Sequence, residues 1–160
     1  VNLRESILIP AHAEQVWATI ANPETWPAWN SKIKSVRRAN HGSVVAGEHF
    51  HAVFRLGKRE SPSNVEIVVC EPPTRLDLRQ HYEFRQRMRS IRVVFDLAAA
   101  AGGVRLTQTV DLDGVGMPWP LRLLIGWLHR FGRPVGVSSL EKLRTRVTTP
   151  DEPGIATGLP

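Results

Sequence analysis

The sequence has a single cysteine, Cys70, among its 160 residues. That excludes an intramolecular disulfide and a zinc site built from several thiolates. Tyrosine is as scarce: Tyr82 is the only one. Long apolar runs are missing as well. The most apolar stretch, residues 119–128, is interrupted by Arg122. No uncharged run reaches the ~18 residues that a membrane-spanning helix needs. The first residues show neither an apolar signal core nor a cleavage site, so the chain reads as soluble and cytoplasmic. It has no Gly-x-Ser-x-Gly elbow and no Gly-x-Gly-x-x-Gly or Gly-x-x-x-x-Gly-Lys phosphate loop.

What is present is arginine. Lys plus Arg total 21 against 15 Asp plus Glu, and 17 of the basic residues are Arg. They are spread along the chain, most densely at Arg85, Arg87 and Arg89. An outer patch of Arg79, His81, Arg85, Arg87 and Arg92 would suit an anionic partner. No aromatic–basic RNA motif or recognition helix accompanies it, so no specific nucleic-acid partner is expected. With 42% hydrophobic and 22% charged residues, the chain is one folded domain. At this size about two-thirds of the extended surface is buried without a disulfide or metal.

The apolar pattern sets the order of elements. Leu3 to Ile9 is a strand that Pro10 stops. Val16, Trp17 and Ile20 sit at helical spacing in a helix over 11–22. Pro23 opens a second short helix with Trp26 and Trp29 on one face. Alternating segments follow. Phe50, Ala52, Phe54 and Leu56 share one face and His49, His51, Val53 and Arg55 the other. Val65, Ile67 and Val69 form a second inner row, Leu76, Leu78, Gln80 and Tyr82 a third, Ile91, Val93, Phe95 and Leu97 a fourth, and Val104 to Leu112 a last. Such one-sided patterning predicts an antiparallel sheet with one buried face. Helical spacing returns over 120–147, with Leu121, Leu124, Leu128, Phe131, Leu140, Leu143 and Val147 on the apolar side. Pro134 and Gly136 are expected to kink or break it. Residues 1–149 read as one domain and 150–160, rich in Pro and Gly, as a flexible C-terminal tail.

Several stretches together resemble the START-related helix-grip superfamily, in its polyketide cyclase/dehydrase-like branch. They are Pro10-Ala-His-Ala-Glu-Gln-Val-Trp17, Ile20-Ala-Asn-Pro-Glu-Thr-Trp-Pro-Ala-Trp-Asn30, Gly47-Glu-His-Phe50, Glu71-Pro-Pro-Thr-Arg-Leu76 and Gly102-Gly-Val-Arg-Leu-Thr107. The likeness covers about residues 3–147, and each motif is a packing signature. It implies an α+β helix-grip fold: a curved seven-stranded antiparallel sheet wrapped around a long C-terminal helix, with two short helices near the N-terminus. It also implies a hydrophobic tunnel for polyketides, lipids or similar molecules.

Within that frame, Trp26, Trp29, Phe50, Phe54, Gln80, Tyr82, Phe95, Gln108, Trp127 and Phe131 are the candidate cavity residues. Polar groups such as Gln80, Tyr82 and Gln108 on apolar faces need partners or a ligand. Tyr82 and Arg89 are the candidate catalytic donors, while no Asp, Glu or His is placed on the inner face. His49, His51 and His81 belong to the outer face, and no metal or cofactor is expected. Cys70 reads as a small buried hydrophobe.

The leading functional expectation is a binder of a small hydrophobic molecule in a cavity between the sheet and the C-terminal helix. Catalysis stays open, and if the protein is a polyketide cyclase/dehydrase its chemistry is aldol closure and dehydration. The alternative is a non-catalytic lipid carrier or sensor. In that reading the Trp- and Arg-bearing segment 119–133 docks on an anionic membrane surface. Monomer and homodimer both stay open.

Overall fold

The computed structural model describes residues 2–131 and 138–149, with the side chains of Leu56, His129 and Phe131 excepted. Strand β1 (Asn2–Ile9) leads into α1 (Ala13–Ile20). The His12 backbone N–H donates to Gln15 Oε1 at 2.9 Å and starts that helix. Val16, Trp17 and Ile20 are its buried face. Asn22-Pro23 ends α1, and Pro23 opens a 3₁₀ turn that runs into α2 (Trp26–Trp29).

Six strands then form a meander: β2 (Ile33–Arg37), β3 (His49–Leu56), β4 (Arg59–Glu71), β5 (Arg75–Phe84), β6 (Arg87–Ala100) and β7 (Gly103–Asp111). The sheet order is β1-β7-β6-β5-β4-β3-β2, antiparallel throughout. The chain is thus an α+β, curved, open seven-stranded sheet with the helices on one face.

The alternation seen in the sequence becomes the two faces. Phe50, Ala52, Val65, Ile67, Leu76, Leu78, Phe95, Leu97, Val104 and Leu106 are buried against the helices. One row departs from expectation. Ile67 pairs with Leu78, but Val69 pairs with Asp77 and Cys70 with Leu76. Val68 is therefore an extra residue, a bulge that reverses the faces beyond it. Val69 moves to the outer face, and Cys70 joins the inner one.

The outer face has its own polar order. Asp77 there has no solvent exposure and accepts a two-pronged pair from the Arg92 guanidinium. Ser6 and Thr107 hydroxyls meet at 2.8 Å.

The helical span of 120–147 is divided. It forms α3 (Trp119–Phe131) and α4 (Ser139–Thr148). Ser138 Oγ accepts the Glu141 N–H at 3.2 Å and caps α4. Leu140 and Leu143 on α4 are fully buried, each stabilising the fold by about 1.5–3 kcal/mol through burial. The helix packs against β1, α1 and α2. On α3, by contrast, Leu121, Leu124 and Leu128 are exposed rather than packed on the core. The grip on the sheet therefore belongs to α4. Pro134, Gly136 and the tail 150–160 lie outside the described residues.

Candidate functional site

The β5–β6 hairpin end of the inner face collects a cluster of buried polar side chains. Register places Ser63 opposite Tyr82 and Tyr82 opposite Arg89, so one cross-strand row carries a hydroxyl, a phenol and a guanidinium. Gln80, one step along β5, donates from Nε2 to Ser63 Oγ at 3.0 Å. Ser63 in turn donates to the Ser61 carbonyl at 3.2 Å. Ser61, Ser63, Gln80 and Tyr82 are all buried. The amide of Gln80 is thereby satisfied from within the sheet, which answers the desolvation cost that its inner position raises.

Arg89 is not satisfied in this way. Its Nε is buried and has no hydrogen-bond partner. Gly116, which follows the turn Asp113–Val115, closes on the guanidinium. A Cβ built on Gly116 would lie 1.8 Å from Arg89 Nη1, and Gly116 has φ +64°. Only glycine allows both the left-handed backbone and that approach. A Cβ on Gly114 would meet Ser90 Oγ at 2.4 Å.

Burial pushes the Tyr82 phenol up, and the nearby Arg89 charge opposes that shift without cancelling it. The result is a phenol that stays a donor at neutral pH beside a cation with a spare N–H. Two donors on one cross-strand row at the end of an apolar face are of the chemistry that suits an oxygen acceptor: a carbonyl, an enolate or a carboxylate.

Burial also raises the Cys70 thiol, with the Glu48 carboxylate adding to it. Its Sγ–H reaches the Val44 carbonyl at 3.4 Å, the environment of an unreactive cysteine. Both raised groups carry a stability consequence. A folded-state value above the unfolded one contributes fully at lower pH and is lost as pH rises through the folded value. With ordinary values of about 8.5 for thiol and about 10 for phenol, the fold should weaken in alkali. A melting temperature that falls between about pH 8 and pH 11 should fall less in a Tyr82→Phe, Cys70→Ala double variant. An equal fall in both proteins would contradict the assignment.

The remaining sequence candidates are dispersed. Trp26, Trp29, Phe50 and Phe95 are buried in the core, Phe54 is half-buried, and Trp26 tilts onto Phe50 with centroids 5.7 Å apart. Gln108 is half-buried opposite Phe95, six positions along β6 from Arg89. Trp127 is 60% exposed on α3. Phe131 ends α3, and its side chain lies outside the described set. His49 and His51 are exposed on the outer face, His49 beside Asn64 at 3.2 Å, and His81 is 3.3 Å from Glu66. Among the described residues no group of three or more His, Cys, Asp or Glu is placed to hold a metal.

One acid shares the phase of the inner row on the edge strand β1, but it is exposed to solvent. Glu5 pairs with Gln108 on the face of Ile7 and Leu106. Its signal was the strict alternation Leu3, Glu5, Ile7, Ile9. Ser61, Ser63 and Gly116 were missed. The two serines lie on the period-two row of Val65 and Ile67, whereas Gly116 had no local signal.

A groove of about 660 Å³ opens elsewhere, lined by Pro10, His12, Pro73, Thr74, Leu97 and Gly103 among others. It lies at the far end of β6 from Arg89 and includes none of the candidate cavity residues. A cleft of about 180 Å³ on the outer face adjoins Arg75, Arg92 and Asp111.

Known structures share this architecture. A protein from Chromobacterium violaceum superposes with TM-score 0.64 at 15% identity, covering 91% of this chain and 96% of that one. The structure titled Ara h 8.0201 gives TM-score 0.61 at 14% identity, with 92% and 97% covered. DynU16, titled a putative protein in the dynemicin biosynthetic locus, gives 0.57 at 19%, with 92% of this chain and 47% of that one covered. At these identities the likeness is one of fold. No curated protein matches the sequence. A family model does match, over residues 1–148, nearly the whole described chain. With the sheet, the gripping helix and that match in agreement, the chain belongs to the polyketide cyclase / dehydrase and lipid transport family.

Proposed function

We propose that this protein binds a small, largely apolar molecule, a polyketide, lipid or similar compound, on the inner face of the sheet. Tyr82 and Arg89 would anchor one oxygen of that molecule. The observation that carries this reading is the buried, unpartnered Nε of Arg89 beside a protonated phenol. A donor left unpaired in a folded protein costs stability, and a ligand oxygen would repay it. The family membership and the fold shared with Ara h 8.0201 and DynU16 support the same direction.

If the ligand is a poly-β-keto chain, the same two donors serve an aldol closure. Water or a weak base takes the α-proton, and Arg89 and Tyr82 hold the enolate oxygen. The α-carbon then bonds to a second carbonyl of the chain, and the resulting hydroxyl leaves as water with a further α-proton. The protein's part is to fold the chain into an attack geometry and to stabilise developing charge.

The test uses anilinonaphthalene sulfonate, an apolar ring system with an anionic group, followed by its fluorescence on binding. The wild type should bind it. Arg89→Ala should weaken binding at least about tenfold, the loss expected of one charge-assisted hydrogen bond. Gly116→Val should do the same by displacing the guanidinium. Equal binding by well-folded wild type and Arg89→Ala would refute the anchor.

A further inference from the structure

Helix α3 presents its apolar side to solvent. Trp119, Leu123 and Trp127 follow one another at four-residue spacing and are 72%, 64% and 60% exposed. Leu121, Leu124 and Leu128 continue the same arc at 44%, 50% and 48%. The side turned to the protein instead holds the half-buried Arg122, Ile125 and Gly126, with Arg122 paired to Asp113. A helix of a globular domain normally does the reverse and buries its apolar stripe. An exposed apolar patch of this kind marks an interaction surface.

We propose that α3 is a docking helix for the surface of an anionic lipid bilayer. Three observations favour that occupant. Between Asp113 and Glu141 the sequence has no acidic residue, and besides the paired Arg122 it has Arg130 and Arg133, a local charge that complements anionic lipid. Exposed Arg130 borders the apolar arc. Trp and Leu dominate the arc itself, and tryptophan suits the boundary between water and hydrocarbon. The helix is also too short to cross: among the described residues no helix is long and apolar enough to span a membrane.

A second copy of the chain fits less well. Thirteen residues make a helix roughly 20 Å long and about 10 Å wide. One such face offers a few hundred Å², below the roughly 800 Å² per partner of a stable specific interface.

The inference does not depend on what the sheet holds, so its failure is separable from that of the ligand reading. The test is co-sedimentation with vesicles of equal parts phosphatidylglycerol and phosphatidylcholine at low salt, with tryptophan emission as a second readout. The wild type should bind, its emission should shift to the blue, and added salt should weaken the binding. Leu123→Glu should weaken it at least about tenfold, since one fully buried leucine side chain is at stake. Met88→Glu, at a position 68% exposed on β6, should bind as the wild type does.

Three results would overturn the proposal. One is absence of wild-type binding. Another is equal binding to vesicles of phosphatidylcholine alone. The third is self-association without vesicles that Leu123→Glu abolishes, which would give the face to a second copy. The share of anilinonaphthalene sulfonate binding that Leu123→Glu keeps and Arg89→Ala loses reports on the sheet site separately.

Discussion

Replacing Arg38 by methionine should lower the unfolding free energy by about 3–5 kcal/mol, the range for breaking a buried ion pair from one side. The Arg38 side chain is 1% exposed and that of its partner Glu48 8%. The guanidinium donates to Glu48 Oε1 from Nε and Nη2 at 2.9 and 2.7 Å. From Nη1 it also donates to Glu24 at 3.0 Å and to the Gly42 carbonyl at 2.7 Å. Its plane lies over the Phe50 ring, 5.6 Å from the centroid. One residue thus ties the β2–β3 loop to the turn before α2 and covers an aromatic of the core. Methionine keeps the volume and the contact with Phe50 but leaves the Glu48 carboxylate buried without a cation. Lysine should recover only part of the loss, because one ammonium cannot address Glu48, Glu24 and Gly42 in a single plane. The double variant Arg38→Met, Glu48→Met should recover more, since no charge is then stranded. Urea unfolding with an unchanged slope measures all three. A loss below about 1 kcal/mol for Arg38→Met would mean that water reaches Glu48 and replaces the arginine.

The sheet was legible because period-two alternation is local, and a row such as Leu76, Leu78, Gln80 and Tyr82 needs no knowledge of its neighbours. The bulge at Val68 was not, because Val-Val-Cys-Glu reads as well in either phase. Only the pairing with Leu76 and Asp77 fixes it. Within the helix pattern from 120 to 147, the parts that fall in α3 and α4 were read correctly as helical but not as to what they pack on. Leu121, Leu124 and Leu128 have the spacing of a core face, and nothing local distinguishes a stripe turned inward from one turned outward.

The polar site was half legible. Gln80, Tyr82 and Arg89 stood out as polar positions on or near apolar rows. Ser63, which satisfies Gln80, and Gly116, which holds Arg89 in place, belong to a different strand and a different loop. Arg38 gave no signal, since an arginine in a basic chain reads as surface until Glu24 and Glu48 are seen to converge on it.

Removing the Trp29 ring is expected to be as costly as losing Arg38, for a different reason. Trp29 is 2% exposed and is the largest of the fully enclosed side chains. It meets Phe95 edge-on at 6.3 Å, and its Nε1–H donates to Thr25 Oγ1 at 3.3 Å. The helix that carries it, α2, is four residues long. So short a helix has almost no stability of its own and is held by its side chains. Trp29→Ala should therefore destabilise by about 3–5 kcal/mol, the sum of lost transfer energy and the void left against Phe95. Trp29→Phe should cost much less, because it keeps most of the ring volume and gives up mainly the hydrogen bond to Thr25. The two variants also separate the two roles open to this residue. If Trp29 is a plug, the alanine variant should bind added indole and regain part of its melting temperature, as apolar cavities take up apolar rings. The phenylalanine variant should not respond. If instead the ring forms a wall of the ligand site, anilinonaphthalene sulfonate binding should change in Trp29→Phe while its melting temperature stays close to wild type. The burial of Trp29 and its contact with Phe95, six positions along β6 from Arg89, lead us to expect the first outcome.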